Sequence, residues 1–300
     1  MNIHADALTL YSDALVARAE AAAAHIIAVR HREGRYVSGL IWQSDLAVTS
    51  EQALPQRDAF DVTLPGGTIV ETTVVGRDAS TNIALLRLAE PLAAPTHVPS
   101  SVSAGGLALA YGSDGQGGTI FRLGVVQASG PAWTSARGGT IEKRIALDIR
   151  LARREEGGPV FDANGGLIGM STFGVRGQVL VIPSETLQRV VPVLAKDGHI
   201  ARGWLGVKLQ PISVPDALRA AAEQETALMA MTIAENGPAS AAGLLAGDIV
   251  LSIGSASTRR IRHLAALLGP DSIGRSLEVK VIRSGVIHAL SLIVAARPPE

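Results

Sequence analysis

The chain has 300 residues, with 27 basic against 27 acidic side chains, and it contains no cysteine. Zero net charge supplies no long-range field to draw nucleic acid or an anionic membrane surface, so neither is expected as a partner. The missing cysteines exclude disulfides, thiolate metal sites and a cysteine nucleophile, while 47% hydrophobic but only 3% aromatic residues point to two domains packed with Ala, Val, Leu and Ile.

Residues 1–24 are rich in Ala and Leu with scattered charges, which predicts an amphipathic N-terminal helix packed ahead of a first strand over 25–30. Residues 1–17 carry no Lys or Arg, and the run Ala21-Ala22-Ala23-Ala24 is broken by His25, so no secretory leader pattern is read. No apolar stretch approaches the roughly 18 to 20 residues of a spanning helix. A cytoplasmic location is the expectation on these grounds.

From about Arg35 to Ile182 short Val/Ile/Leu-rich runs alternate with Gly-rich turns, the pattern of paired antiparallel barrels. Pro65-Gly66-Gly67 reads as a hairpin turn, and Gly112-Ser113-Asp114-Gly115-Gln116-Gly117-Gly118 as a second turn. The latter is not a phosphate loop, because no Lys-Ser/Thr pair closes it. Ser184 is the predicted N-cap of a helix that turns Leu187, Val190, Val191 and Leu194 to one face. Residues 198–202 form the linker. Beyond it, helices are predicted over 217–223 and 261–268, and strands over 277–282 and 289–294 joined through Arg283-Ser284-Gly285. The seven histidines offer no pair at metal-binding spacing, so no metal and no cofactor is expected.

Three segments carry a resemblance. Val48-Thr49-Ser50-Glu51-Gln52-Ala53-Leu54, Gly76-Arg77-Asp78-Ala79-Ser80-Thr81-Asn82-Ile83-Ala84-Leu85-Leu86 and Glu156-Gly157-Gly158-Pro159 resemble the histidine, aspartate and serine segments of HtrA-type, trypsin-like serine proteases. Gly203-Trp204-Leu205-Gly206-Val207 and the run from Gly237 to Val250 are similar to the PDZ domain that follows in that family. The resemblance implies a mainly β fold: a trypsin-like double antiparallel β-barrel over 25–197, then a small α+β PDZ domain over 203–297.

In these frames the three catalytic positions hold Gln52, Asn82 and Glu156. Gln52 has no titrating lone pair, Asn82 has no charge to support an imidazolium, and Glu156 has no hydroxyl. Arg153 and Arg154 are expected to pair with the neighbouring acids and fill the former oxyanion loop. Glu51, Glu155 and Glu156 leave a carboxylate-based alternative open, in which nearby acids share a proton or bind a cation.

The expectation is a catalytically inactive member that binds peptides or misfolded proteins in a regulatory, scaffolding or chaperone-like role. Its alternatives are an active HtrA-like endopeptidase and a structural subunit assembled with an active homologue. By resemblance, Leu205, Gly206 and Val207 would meet a peptide C-terminus, with Leu264 and Leu268 lining its side-chain pocket. Trimer formation and, as the alternative to the cytoplasmic expectation, a periplasmic location are likewise implied by the resemblance alone.

Overall fold

The computed structural model of the protein describes residues 3–32, 34–93, 96–259, 264 and 267–298. The chain divides into two compact units, Met1–Trp133 with Ile141–Ile200, and Ala201–Glu300 with Thr134–Thr140. The second begins inside the predicted 198–202 linker.

In the first unit, β1 (Ile26–Arg32), β2 (Arg35–Gln43), β3 (Leu46–Ser50), β4 (Ala59–Thr63), β5 (Ile69–Asp78) and β6 (Ile83–Leu88) close into an antiparallel barrel in the order β1-β2-β3-β6-β5-β4. A second closed barrel takes β7 (Leu107–Ser113) and β8 (Thr119–Gly130) with strands Arg144–Leu147, Pro159–Phe161, Leu167–Phe173 and Val179–Pro183. Side chains alternate faces along a strand. Ile27, Ile41, Ala47, Ala84 and Leu86 therefore fill the first barrel, while their neighbours Ile26, Leu40, Val48, Ile83 and Leu85 face outward. That outward face is buried too, against Leu109, Tyr111, Phe161, Leu167 and Met170 of the second barrel. Strands covered on both faces lose the polar alternation of a half-exposed sheet, which is why these runs are apolar almost throughout.

Both predicted turns form: Gly66 and Gly67 lie at positive φ between β4 and β5, and Gly115 and Gly117 do so between β7 and β8. Helix α1 (Ile3–Ala23) is only half amphipathic. Leu15, Ala19 and Ala22 pack on the core, but Leu8, Leu10, Tyr11 and Val16 stand exposed. Helix α2 (Ser184–Asp197) buries Leu187, Val190, Val191 and Leu194 as expected. The cap differs from expectation. Pro183 occupies the N-cap position, Ser184 is the first helical residue, and its hydroxyl contacts Glu185 Oε2 at 3.3 Å instead of a backbone N–H.

The second unit is a sheet in which strand Val207–Ser213 forms one edge, followed by Thr226–Ile233, Ile249–Ile253, Ser276–Arg283 and Val286–Ile293. Pro211 fits that edge, since proline cannot donate to a ladder on both sides. A helix over Asp216–Ala222 matches the one predicted there. Most of the predicted 261–268 helix lies outside the described residues; Leu264 is buried in this unit's core and Leu268 is partly buried against it.

Leu187 has no solvent exposure and packs in the cluster shared by α2 and both barrels. Leu187→Ala is expected to lower the unfolding free energy by about 2–5 kcal/mol, read from urea denaturation.

Candidate functional site

Strand β3 ends at Ser50 and the chain tightens into a single 3-10 turn, Glu51–Ala53, which carries Gln52 to the surface. The loop between β5 and β6 is built around Asp78. Its carboxylate accepts from the Ser80 N–H at 3.0 Å, from the Thr81 hydroxyl at 2.7 Å and from the Ser80 hydroxyl. This turn ends on Asn82 at φ 61°, a left-handed conformation that asparagine tolerates better than most side chains. Asn82 Oδ1 accepts the backbone N–H of Gln52 at 2.7 Å, so the first two sites are joined directly.

Glu156 follows a 3-10 turn over Arg153–Glu155 and precedes Gly157 and Gly158. Here glycine is a steric requirement. A Cβ on Gly157 would sit 2.2 Å from the Ser38 carbonyl oxygen at φ +90°, and one on Gly158 would sit 1.9 Å from that of Tyr111. The loop is thereby wedged between β2 of one barrel and β7 of the other.

The structure brings Gln52, Asn82 and Glu156 together. Glu156 is 4% exposed. Its Oε1 accepts from Gln52 Nε2 at 2.6 Å, the Ser50 hydroxyl at 2.9 Å, the Thr172 hydroxyl at 3.0 Å and the Phe173 N–H at 3.4 Å. Asn82 Nδ2 donates to Ser50 Oγ at 2.9 Å and to Thr172 Oγ1 at 2.7 Å. Ser50 and Thr172 are the members that sequence reasoning missed. Both are short hydroxyl residues inside apolar strands, and that was the available signal.

Three N–H groups around Glu156 have protein acceptors. The Glu156 N–H donates to Arg153 O at 3.3 Å, the Gly157 N–H to Ser171 O at 2.9 Å and the Gly158 N–H to Glu155 O at 3.3 Å. A site for a developing oxyanion needs N–H donors aimed at the substrate oxygen, whereas these three already have protein acceptors.

Glu155 corrects the expected pairing. It is 1% exposed and is held by Arg122, with Nε to Oε2 at 3.0 Å and Nη2 to Oε1 at 2.8 Å. Arg153 and Arg154 lie exposed and form no ion pair among the described residues. Arg154 contributes its carbonyl, which accepts the Ser38 hydroxyl at 2.8 Å. The three acids have separate partners as well: Glu51 meets Gln56 at 3.3 Å, Glu155 meets Arg122, and Glu156 meets neutral donors. Among the described residues no group of three or more metal-ligating side chains comes together.

In the second unit, Leu205 is buried, Gly206 lies at φ 73° and Val207 opens the edge strand. The carbonyls of Leu205 and Gly206 accept from Ala239 and Ala234 at 2.8 Å each, whereas their N–H groups have no acceptor among the described residues. Asp248, within the Gly237–Val250 run, is 2% exposed and fixes the Gly243–Asp248 turn through Arg283 Nε at 2.8 Å and the Leu245 N–H at 2.8 Å.

Comparison with known families matches residues 37–170 to a trypsin-like peptidase domain and residues 203–294 to a PDZ domain. A "Probable periplasmic serine endoprotease DegP-like" of Brucella suis is 29% identical over 275 residues, covering 88% of this chain and 53% of the relative. A protein of the same description from Bartonella henselae is 30% identical, covering 90% of this chain and 55% of the relative. The chain thus spans about half the length of the curated relatives it matches. Among solved structures, "HtrA-type protease AlgW with decapeptide" aligns at TM-score 0.71 with 21% identity, covering 95% of this chain and 99% of that one. A serine endoprotease from Yersinia pestis aligns at TM-score 0.68 with 21% identity, covering 95% and 98%. These relatives overturn the cytoplasmic expectation, because the curated ones are named periplasmic. That expectation rested on an absent leader pattern, and an absence carries less weight than the compartment shared by similar proteins.

Removing Arg122 leaves the Glu155 carboxylate buried without its cation. Arg122→Ala is expected to cost roughly 1–3 kcal/mol in urea denaturation, discounted because the arginine itself is half-exposed. A double-mutant cycle with Glu155→Gln should recover part of that loss as coupling energy.

Proposed function

Because the chain belongs to the HtrA-type family of trypsin-like peptidases that carry a PDZ domain, we propose that it is a non-catalytic member which binds peptides or misfolded proteins in the periplasm. The observation that carries this reading is the Glu156 carboxylate, whose Oε1 is saturated by protein donors in a frame that resembles the family's nucleophile segment. Acyl transfer requires an attacking oxygen or sulfur, a base to take its proton, and donors for the oxyanion. Glu156 has no hydroxyl, Gln52 has no basic nitrogen, and the Glu156 N–H is engaged by Arg153. A substitute nucleophile is equally unsupported. Ser50 touches Glu156 but has no solvent exposure, and Thr172 is 4% exposed.

The purified protein is expected neither to label with a serine-directed fluorophosphonate nor to degrade unfolded casein. Glu156→Ser alone should restore neither reaction, since the triad members act as a unit. Covalent labelling mapped to the 153–158 loop, or casein cleavage that survives repurification, would overturn this reading in favour of an active endopeptidase.

Binding is assigned to the 203–297 module. The N–H groups of Leu205 and Gly206, without an acceptor among the described residues, stand beside an edge strand able to accept an extended peptide. Leu264 and Leu268 form the apolar side of this proposed site, and the burial of Leu264 in the core makes Leu268 the better position for a test. An apolar C-terminal peptide is expected to bind the full chain, and amidating its terminus should weaken binding by roughly 1–3 kcal/mol in calorimetry, the range for hydrogen bonds to a charged group. Equal affinity for the amidated and free-acid peptides would remove the site from this loop.

A further inference from the structure

A cavity of about 140 Å³ lies at the C-terminal half of α1, walled by Ala22, Leu109 and Phe161 and bordered by Arg18, His25 and Tyr111. None of Gln52, Asn82 or Glu156 lines it. An engineered apolar cavity of roughly 150 Å³ is large enough to take benzene. This one differs from such a dry void in its unmet hydrogen-bonding capacity. Tyr111 is 2% exposed, and its hydroxyl has no partner among the described residues. His25 Nδ1 is also buried without a partner among the described residues. Burial pushes the Tyr111 phenol up to about 12 against the opposing charge of Arg18, so the hydroxyl remains a donor near neutral pH.

Arg18 forms no ion pair with any described residue. The acid nearest in the lining, Asp162, is already engaged by the Ser100 hydroxyl and by the N–H groups of Asn164 and Gly166 at 2.8 Å each. A water molecule would answer the hydroxyl but would leave the apolar wall without contacts, and the exposed Arg18 guanidinium with hydration alone. A carboxylate attached to a compact apolar body would meet all three.

We propose that this cavity binds a small organic monocarboxylate with an apolar body about the size of a benzene ring. The carboxylate lies between the Arg18 guanidinium and the Tyr111 hydroxyl, and the body packs against Ala22, Leu109 and Phe161. The site is separate from the degenerate catalytic cluster and does not depend on whether that cluster is inactive.

Sodium benzoate titrated into the full chain by calorimetry is the direct probe. Saturable binding with one molecule per chain is expected, weakened about tenfold by Tyr111→Phe and by Arg18→Gln, the scale of a lost charge-assisted hydrogen bond. Benzamide, of nearly the same shape without the charge, should bind more weakly. Tyr111→Phe deletes an orphaned hydroxyl, so its melting temperature without benzoate should be equal or higher, which shows that the variant folds. No saturable binding at millimolar benzoate overturns the proposal, as does benzoate affinity unchanged in both variants. A Tyr111→Phe protein that melts lower while the unsubstituted chain ignores benzoate would mean that ordered water already satisfies the hydroxyl, and would overturn it too.

Discussion

One carboxylate oxygen joins the two barrels at the site. Glu156 Oε1 receives Ser50 and Gln52 from the first barrel and Thr172 and Phe173 from the second. A carboxylate taken out of water without partners costs several kcal/mol, and it is tolerated only where donors replace the lost hydration. Here the replacement is local and complete on that oxygen. The side-chain chemistry around it follows from this one constraint: Gln52 presents an amide donor, and Asn82 turns its Nδ2 toward the Ser50 and Thr172 hydroxyls.

The neighbouring acid solves the same problem in another way. Glu155 and Glu156 are adjacent and both buried, yet one is paired with a bidentate guanidinium and the other is hydrogen-bonded by neutral donors. A 3-10 turn separates their directions. That turn also consumes the Glu156 N–H, so the backbone cost of holding two acids and the loss of an outward donor have the same origin. The glycines after them cannot relieve the crowding, since strand carbonyls from both barrels close on their α-carbons.

The double barrel was legible because burial of both strand faces leaves long apolar runs, and because positive-φ turns need glycine at Gly66, Gly67, Gly115 and Gly117. Meeting of residues 52, 82 and 156 was legible only through the resemblance of their frames; composition and periodicity carry no such long-range information. The Arg122 partner was invisible for the same reason, being 33 residues from Glu155 across the barrel. Ser184 misled because a capping residue and a first helical residue share the same chemistry, and only the backbone angle of Pro183 decides between them. Leu264 illustrates the converse: a helical apolar stripe identifies a buried face without saying whether that face meets a ligand or its own core.

Unmet polar capacity is therefore distributed in an unexpected way. A working catalytic centre keeps strained or unsatisfied groups at the point of chemistry. In this chain Gln52 Nε2 donates to Glu156 Oε1 and the Gln52 N–H to Asn82 Oδ1, whereas three of the buried atoms without a partner among the described residues, His25 Nδ1, His97 Nδ1 and Tyr111 Oη, lie elsewhere in the first unit. They are neighbours: the His25 and His97 rings stand 5.2 Å apart, and Phe161 lies 6.2 Å from His25 and 5.9 Å from Tyr111. His97 Nε2 is held by the Ile41 carbonyl at 2.8 Å, which makes it the protonated nitrogen and leaves Nδ1 a free acceptor. Burial lowers the proton affinity of both rings, and in His25 the neighbouring His97 adds to the effect, so the pair is neutral near pH 7 and places no charge in the apolar wall. The unmet capacity of these three atoms is a cost of burial that a hydrogen-bonding partner brought to them would reduce.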